Sequence, residues 1–404
     1  MCTIAHHAAT AADATMGTAA AKPGVSRRRM LQTAGLGVLA GGAAVALAGC
    51  APAAAPVSAA AAPVPVGTRS KLVLLGTTGG PGIVADRAGI CSAVVVDGAV
   101  YLVDLGHGAP SQIVKAGLAS AEDSATNASL AALRGIFITH MHSDHIAELP
   151  ALQITGMWNG LKDPASPVQV YGPGNRGGLS PLAGAADPAV IAPDNPTAGT
   201  VDMLALINRA FAADLNERIR SSGGVDPLAV LQGHDIALPS GVASPIDAEL
   251  MPDIDPFDVY EDELVKVTAT LVNHAPVFPS FGFRFDTADG SVTFSGDTGP
   301  SANLARLAQG TDILVHEVID REWVESIYPE PRTDAAAATV AHLLNSHTSI
   351  EEVGRIATEA GAKHVVLNHM APATHPEEKW LEVRDHFDGE VTVGTDLAEF
   401  AIGS

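Results

Sequence analysis

Cysteine is scarce: Cys2, Cys50 and Cys91 are the only three in 404 residues, which excludes a disulfide framework as the support of the fold. Aromatic residues make up 4%, so a core has to be assembled from small and aliphatic side chains. Positive charge is also short. Lys and Arg number 23 against 45 Asp and Glu, a formal charge of -22, and such a surface lacks the basic footprint by which proteins hold long nucleic acids. Beyond one 18-residue apolar run, Leu31 to Ala48, no stretch of comparable length occurs, so nothing else is expected to span a bilayer. What is present is 47% hydrophobic residues and enough length for one large α/β domain with extensions, which argues for a folded core.

The apolar run stands behind an arginine cluster, Ser26-Arg27-Arg28-Arg29-Met30-Leu31, and closes on Leu47-Ala48-Gly49-Cys50. This resembles a twin-arginine export signal ending in a lipobox. The resemblance implies that residues 1–49 are removed and that Cys50 becomes the lipidated anchor of a membrane lipoprotein on the extracytoplasmic side. A plain transmembrane anchor is the alternative, weakened by the Gly and Ala content of the run. After cleavage 19 basic residues face 44 acidic ones, a charge of -25. Residues 51–66 are almost wholly Ala, Pro, Val and Ser, so 50–68 is expected to be a tether. The folded domain is expected over 69–404.

That domain opens on a β-rich run, Lys71 to Gly76, leading into Gly76-Thr77-Thr78-Gly79-Gly80-Pro81-Gly82. Alone, such a glycine loop signals a tight turn more often than a phosphate cradle. Runs Ser92 to Val96 and Val100 to Asp104 flank Asp97-Gly98, the chemistry of a two-residue hairpin. A third apolar strand runs straight into Thr139-His140-Met141-His142-Ser143-Asp144-His145. Three histidines and an aspartate within six positions at a strand end form a metal-binding pattern, because imidazole suits zinc and an added carboxylate allows a second ion. His140 and His142 fall on one side of an extended turn, and Asp144 and His145 are carried past them to a second ion.

This run resembles the HxHxDH signature of the metallo-β-lactamase fold superfamily, and later segments extend the likeness over most of residues 71–402. Asn273-His274-Ala275-Pro276, Ser295-Gly296-Asp297-Thr298 and Leu367-Asn368-His369 are similar to its further ligand motifs. The resemblance implies an α/β fold, a four-layer αβ/βα sandwich. It also implies two Zn2+ per chain, replaceable by Mn2+ or Fe2+: one on His140, His142 and His274, the other on Asp144, His145 and His369, with Asp297 bridging. Val103-Asp104-Leu105-Gly106, His316-Glu317 and His347-Thr348 are similar to motifs of the ribonuclease Z and arylsulfatase-like branch. There the His of the His-Glu pair acts near the leaving group, so His316 is expected to deliver the proton, oriented by Glu317, with Asp144 beside them in the catalytic set.

Asp104 is a candidate acceptor behind a ligand imidazole, with His107 in the turn that follows. His347 precedes a capped helix that ends before Gly361 and is expected either to face the site or to serve that cap. Cys91 reads as a small buried hydrophobe, and the acidic run Asp253 to Glu263 as a solvated loop. Between His145 and His274 lie 128 residues, read as an insertion at about 160–265. Within it Leu204, Ile207, Phe211, Leu215 and Ile219 form one helical stripe, and Trp158 just upstream could wall a substrate. Only 22 residues separate His274 from Asp297, where ribonuclease Z would carry its long tRNA-gripping arm.

The expected activity is that of an exported dinuclear zinc hydrolase. It would cleave small ester substrates, phosphodiesters or aryl sulfates, by attack of water activated between the ions, with no nucleic acid partner. The alternatives are ribonuclease Z-like tRNA 3' processing, lactonase or β-lactamase activity, and a non-catalytic ligand-binding lipoprotein. The complete ligand set opposes the last.

Overall fold

The computed structural model describes residues 64–65, 67–180, 188–242 and 251–403. The export signal, Cys50 and nearly all of the tether lie outside the described residues.

Among the described residues, fourteen strands form two seven-stranded sheets. The first contains β1 (Ser70–Gly76), β2 (Cys91–Val96), β3 (Ala99–Val103), β4 (Leu133–Phe137), β5 (Val168–Gly172) and β6 (Leu231–Asp235). The second contains β7 (Phe257–Glu261), β8 (Val265–Leu271), β9 (Phe281–Thr287), β10 (Ser291–Phe294), β11 (Ile313–Ile319), β12 (His364–Ala371) and β13 (Glu390–Val393). The C-terminal β14 (Glu399–Ala401) returns to the first sheet beside β1, giving the orders β14-β1-β2-β3-β4-β5-β6 and β13-β12-β11-β10-β9-β8-β7. In each sheet the first part is antiparallel and the rest, β3 to β6 and β10 to β13, is parallel. Parallel pairs need crossovers, and the helices that make them cover the outer faces.

Period-two alternation sorts the core into layers. On β1, Leu72 and Leu74 face the other sheet while Val73 and Leu75 face helices. Seven of the ten phenylalanines (Phe137, Phe278, Phe281, Phe283, Phe285, Phe294 and Phe400) sit between the sheets, and Phe137 meets the rings of Phe283 and Phe285 edge-on at 5.8 and 5.1 Å. Scarce aromatics are thus spent on one seam, where each fully buried ring contributes roughly 1.5–3 kcal/mol. Helices Ala109–Lys115, Leu149–Thr155 and Thr200–Ala210 cover the first sheet, and helix Ile350–Ala360 the second. That last helix starts at a Ser349/Glu352 capping box and stops at Gly361 in the left-handed conformation, φ 61°, as its sequence implied. The result is the four-layer αβ/βα sandwich.

The β2–β3 turn places Asp97 and Gly98 at φ 48° and 82°, the two positive φ values that a twist-matched two-residue hairpin requires. Three sequence readings are revised. The interval 160–265 supplies β5, β6 and β7 to the two sheets, so much of it is integral to the sandwich. The stripe from Leu204 to Ile219 is broken at Phe211 into helices Thr200–Ala210 and Ala212–Ser222; Leu204, Ile207 and Leu215 are buried, whereas Phe211 is exposed. The acidic run is a strand in its middle, and its Asp262 accepts hydrogen bonds from the Tyr101 and Tyr260 hydroxyls at 2.6 and 2.8 Å.

Candidate metal centre

Strand ends from both sheets meet at one edge of the sandwich. β4 runs out through Thr139 into His140 and His142, and the short helix Ser143–Ile146 carries Asp144 and His145. From the second sheet, β8 leads to His274 and β10 to Asp297, while β11 and β12 carry Glu317 and His369. His347 ends the helix Asp334–Ser346. Phe281 N–H donates to the Thr139 carbonyl at 2.9 Å, so the two sheets are tied at this edge.

The seven residues assigned to metals come together as two groups, His140, His142, His274 with Asp297, and Asp144, His145, His369 with Asp297, the ligand-type atoms of each within 4.8 Å of one another. Asp297 divides its carboxylate between them. Oδ2 lies 3.9 Å from His140 Nε2 and 3.8 Å from His274 Nε2, while Oδ1 lies 3.2 Å from both His145 Nε2 and His369 Nε2. Asp144 Oδ2 closes the second group, 3.4 Å from His369 Nε2.

These residues fit a pair of cations. His140 Nε2, His145 Nε2 and Asp297 Oδ1 are buried with no hydrogen-bond partner, and each such atom costs about 1–3 kcal/mol unless something satisfies it. Burial, reinforced by His145 and His274, holds His140 well below the usual histidine range. Burial likewise takes His274 down to about 3, helped by the neighbouring His347 and His142, so both offer neutral lone pairs. Burial alone would raise Asp144, but the His145 and His369 imidazoles outweigh it and hold it at about 2. Asp297 is likewise kept ionised against burial, chiefly by His369 and His145. Those two histidines are raised despite burial, Asp297 being the largest cause. They supply the positive charge that the carboxylates need, and a divalent ion would replace their protons. Imidazole nitrogen with carboxylate oxygen is the donor set of zinc and similar divalent ions.

Behind the ligand atoms stands a set of orienting contacts. His145 Nδ1 lies 2.8 Å from Asp104 Oδ2, the Thr139 hydroxyl donates to the same oxygen at 2.9 Å, and His274 Nδ1 reaches the Ser346 carbonyl at 2.9 Å. The two imidazole contacts fix the proton on Nδ1 and leave Nε2 for a cation, and the Thr139 hydroxyl holds the Asp104 carboxylate in place. Asp104 therefore plays the part its sequence position suggested, while Thr139 was missed although it directly precedes His140. Asp104→Asn is expected to weaken cation binding about 10–100-fold: the new amide would donate to His145 Nδ1 and shift the ring proton onto Nε2. Competition with a chromogenic chelator measures it, and unchanged affinity would contradict the reading.

The roles expected of His316 and Glu317 as a pair require correction. Adjacent residues of a strand point to opposite faces. Leu314 and Val318 pack in the cluster under helix Ile350–Ala360, so His316 belongs to that face; it is buried, its Nδ1 reaches only the Glu317 carbonyl at 2.6 Å, and burial lowers it to about 4. Glu317 faces the metal groups instead, accepting from Thr298 N–H at 2.8 Å and lying 3.0 Å from His347 Nδ1. His347 is the histidine that this Glu orients. Its ring stands 5.1 Å from that of His274 and 5.9 Å from that of His369, and Glu317 and Asp297 outweigh burial to raise it to about 9. Trp158 lies elsewhere, half exposed under the Arg218 guanidinium at 5.6 Å.

Residues 86–164 match the Metallo-beta-lactamase superfamily and residues 228–370 the Beta-lactamase superfamily domain. A ribonuclease Z of Mycobacterium bovis (strain BCG / Pasteur 1173P2) is 29% identical over 331 residues, covering 81% of this chain and 96% of that protein. One from Mycobacterium sp. (strain KMS) is 30% identical over 330 residues, 81% of this chain and 94% of its own length. Among solved structures, the short form of human tRNase Z shares the fold at a TM-score of 0.51 and 19% identity, over 82% of this chain and 99% of that one. With the sandwich, the two His/Asp groups and these matches in hand, the chain belongs to the metallo-β-lactamase superfamily of metal-dependent hydrolases and is a homologue of ribonuclease Z.

Proposed function

We propose that the chain is an exported dinuclear zinc hydrolase of small phosphodiesters, with aryl sulfates as the related substrate. The observation that carries this reading is Asp297, which offers one carboxylate oxygen to each of two histidine groups. His140, His142 and His274 would hold one ion and Asp144, His145 and His369 the other, with Asp297 shared. Bound there, two divalent ions would acidify water and neutralise charge gathering on the phosphoryl oxygens.

The protein's own part is proton delivery. Glu317 Oε1, 3.0 Å from His347 Nδ1, holds the imidazole charged and leaves its Nε2 proton to be given to a departing alkoxide. Glu317 is buried and His347 lies almost so, which strengthens the pair in a low-dielectric setting.

Small substrates are favoured by charge and by shape. The formal charge, -22 for the whole chain and -25 once residues 1–49 are removed, repels a polyanion, and the interval between His274 and Asp297 is filled by the β9–β10 pair with a short turn. A second reading, tRNA 3' processing, is favoured by relatives bearing the name ribonuclease Z, matched over 94–96% of their own length. A panel of bis(4-nitrophenyl) phosphate, 4-nitrophenyl sulfate, a lactone, a β-lactam and a precursor tRNA separates the possibilities. Turnover of the phosphodiester with poor tRNA cleavage is expected; efficient, salt-sensitive tRNA cleavage would transfer the assignment to the second reading.

The same reading places the enzyme outside the cytoplasm, tethered through Cys50. Cys50→Ser is expected to move the protein from the membrane to the soluble fraction, followed by immunoblot of fractionated cells. An intact Met1 on a soluble cytoplasmic product would contradict it.

A further inference from the structure

The glycine loop that opens the domain lies against the second metal group. Gly79 N–H donates to the Met370 carbonyl at 3.2 Å, and Met370 N–H to the Thr77 carbonyl at 3.2 Å. A Cβ on Gly79 would sit 2.6 Å from the His369 carbonyl oxygen and 2.8 Å from its Nδ1, so only glycine lets the backbone approach the imidazole this closely. The base of the loop is pinned by Asp396, which accepts from the Thr77 hydroxyl at 2.7 Å and from Ala88 N–H at 2.6 Å. Beyond it the chain turns at Gly80, φ 77°, and Pro81 to Ile83 are exposed.

That turn aims the Gly80 N–H at His369 Nε2, 3.3 Å away. This is the nitrogen that also faces Asp297 Oδ1 at 3.2 Å and Asp144 Oδ2 at 3.4 Å. That nitrogen can meet the Gly80 N–H, a proton or a cation, but only one of the three, so with a cation bound the N–H is free to donate elsewhere. We infer that Gly80 N–H is a substrate-binding donor: with a cation on His369, it hydrogen-bonds a non-bridging oxygen of the tetrahedral phosphoryl group. A backbone donor held by a positive-φ glycine is preorganised, so it needs no reorientation when negative charge grows on that oxygen. The inference rests on the dinuclear hydrolase reading, and it gives the glycine loop a role that its sequence alone left open.

The test uses the full chain with glycine labelled at 13C' and 15N, so that only glycines preceded by glycine report: Gly42, Gly80, Gly178 and Gly224. Gly80→Ala assigns the signal. Inorganic phosphate added to the zinc-loaded chain is expected to shift the Gly80 amide proton downfield and to slow its exchange with solvent. Gly80→Ala, whose Cβ meets nothing within 4 Å but which disfavours this φ, should keep its zinc and bind phosphate about tenfold more weakly. Phosphate that binds, by 31P line broadening, while the Gly80 amide stays still would overturn the inference and leave the hydrolase reading standing. Phosphate that fails to bind the zinc-loaded chain at all would overturn both.

Discussion

Asp297→Ala is expected to empty both metal groups and to lower phosphodiester turnover by at least about 10³-fold, the loss of several kcal/mol of transition-state stabilisation. The reason is geometric. Among the described residues no other carboxylate belongs to both groups: Asp144 belongs to the second, 3.4 Å from His369 Nε2, Glu317 gathers with His347 and His369, and the first is otherwise all imidazole, His140, His142 and His274. Removing Asp297 leaves the first group without an anion and the second with one. Asp297→Asn separates charge from position, because its amide offers an oxygen to one group and an N–H₂ to the other. It should retain about one ion where Ala retains almost none. Elemental analysis after dialysis reads both results, and a variant that keeps two ions would remove Asp297 from the shared position.

His347→Ala and Glu317→Gln are each expected to slow hydrolysis of alkyl phosphodiesters by about 10²–10⁴-fold while changing 4-nitrophenyl esters by less than about tenfold, since nitrophenolate departs without a proton. The two residues are 3.0 Å apart and act on one proton, so the double variant should be little worse than either single one. Ion content should stay at two. His316→Ala is the control: its side chain lies on the helix-facing side of β11, so the substitution should cost stability, not selectivity between leaving groups. A loss after His316→Ala that tracks leaving-group basicity would restore it to the proton-delivering role.

What was legible in the sequence follows from how far each feature reaches along the chain. The cluster from His140 to His145 is local, a few residues set by one strand end, and its spacing alone carried the metal chemistry. The hairpin at Asp97-Gly98 and the helix capped by Ser349 and Glu352 are equally local, and both formed as read. The side on which His316 stands was open to reading from the strand: Leu314, His316 and Val318 alternate with Val315 and Glu317, so a strand does not aim both members of His316-Glu317 at one site. The true partner of Glu317, His347, lies 30 residues away on a different element, and no spacing rule links the two. The strands inside the interval 160–265 were not legible because those such as Leu231–Asp235, with one buried residue in five, show no clear alternation. Edge strands bury little and therefore write little into the sequence.

Stripping the purified chain with a chelator and titrating zinc back, while following bis(4-nitrophenyl) phosphate hydrolysis, tests the central claim most directly. Activity is expected to be absent at the start and to rise until two equivalents are bound, with a break there. Full activity in the metal-free chain, or a plateau after a single equivalent, would contradict the dinuclear centre.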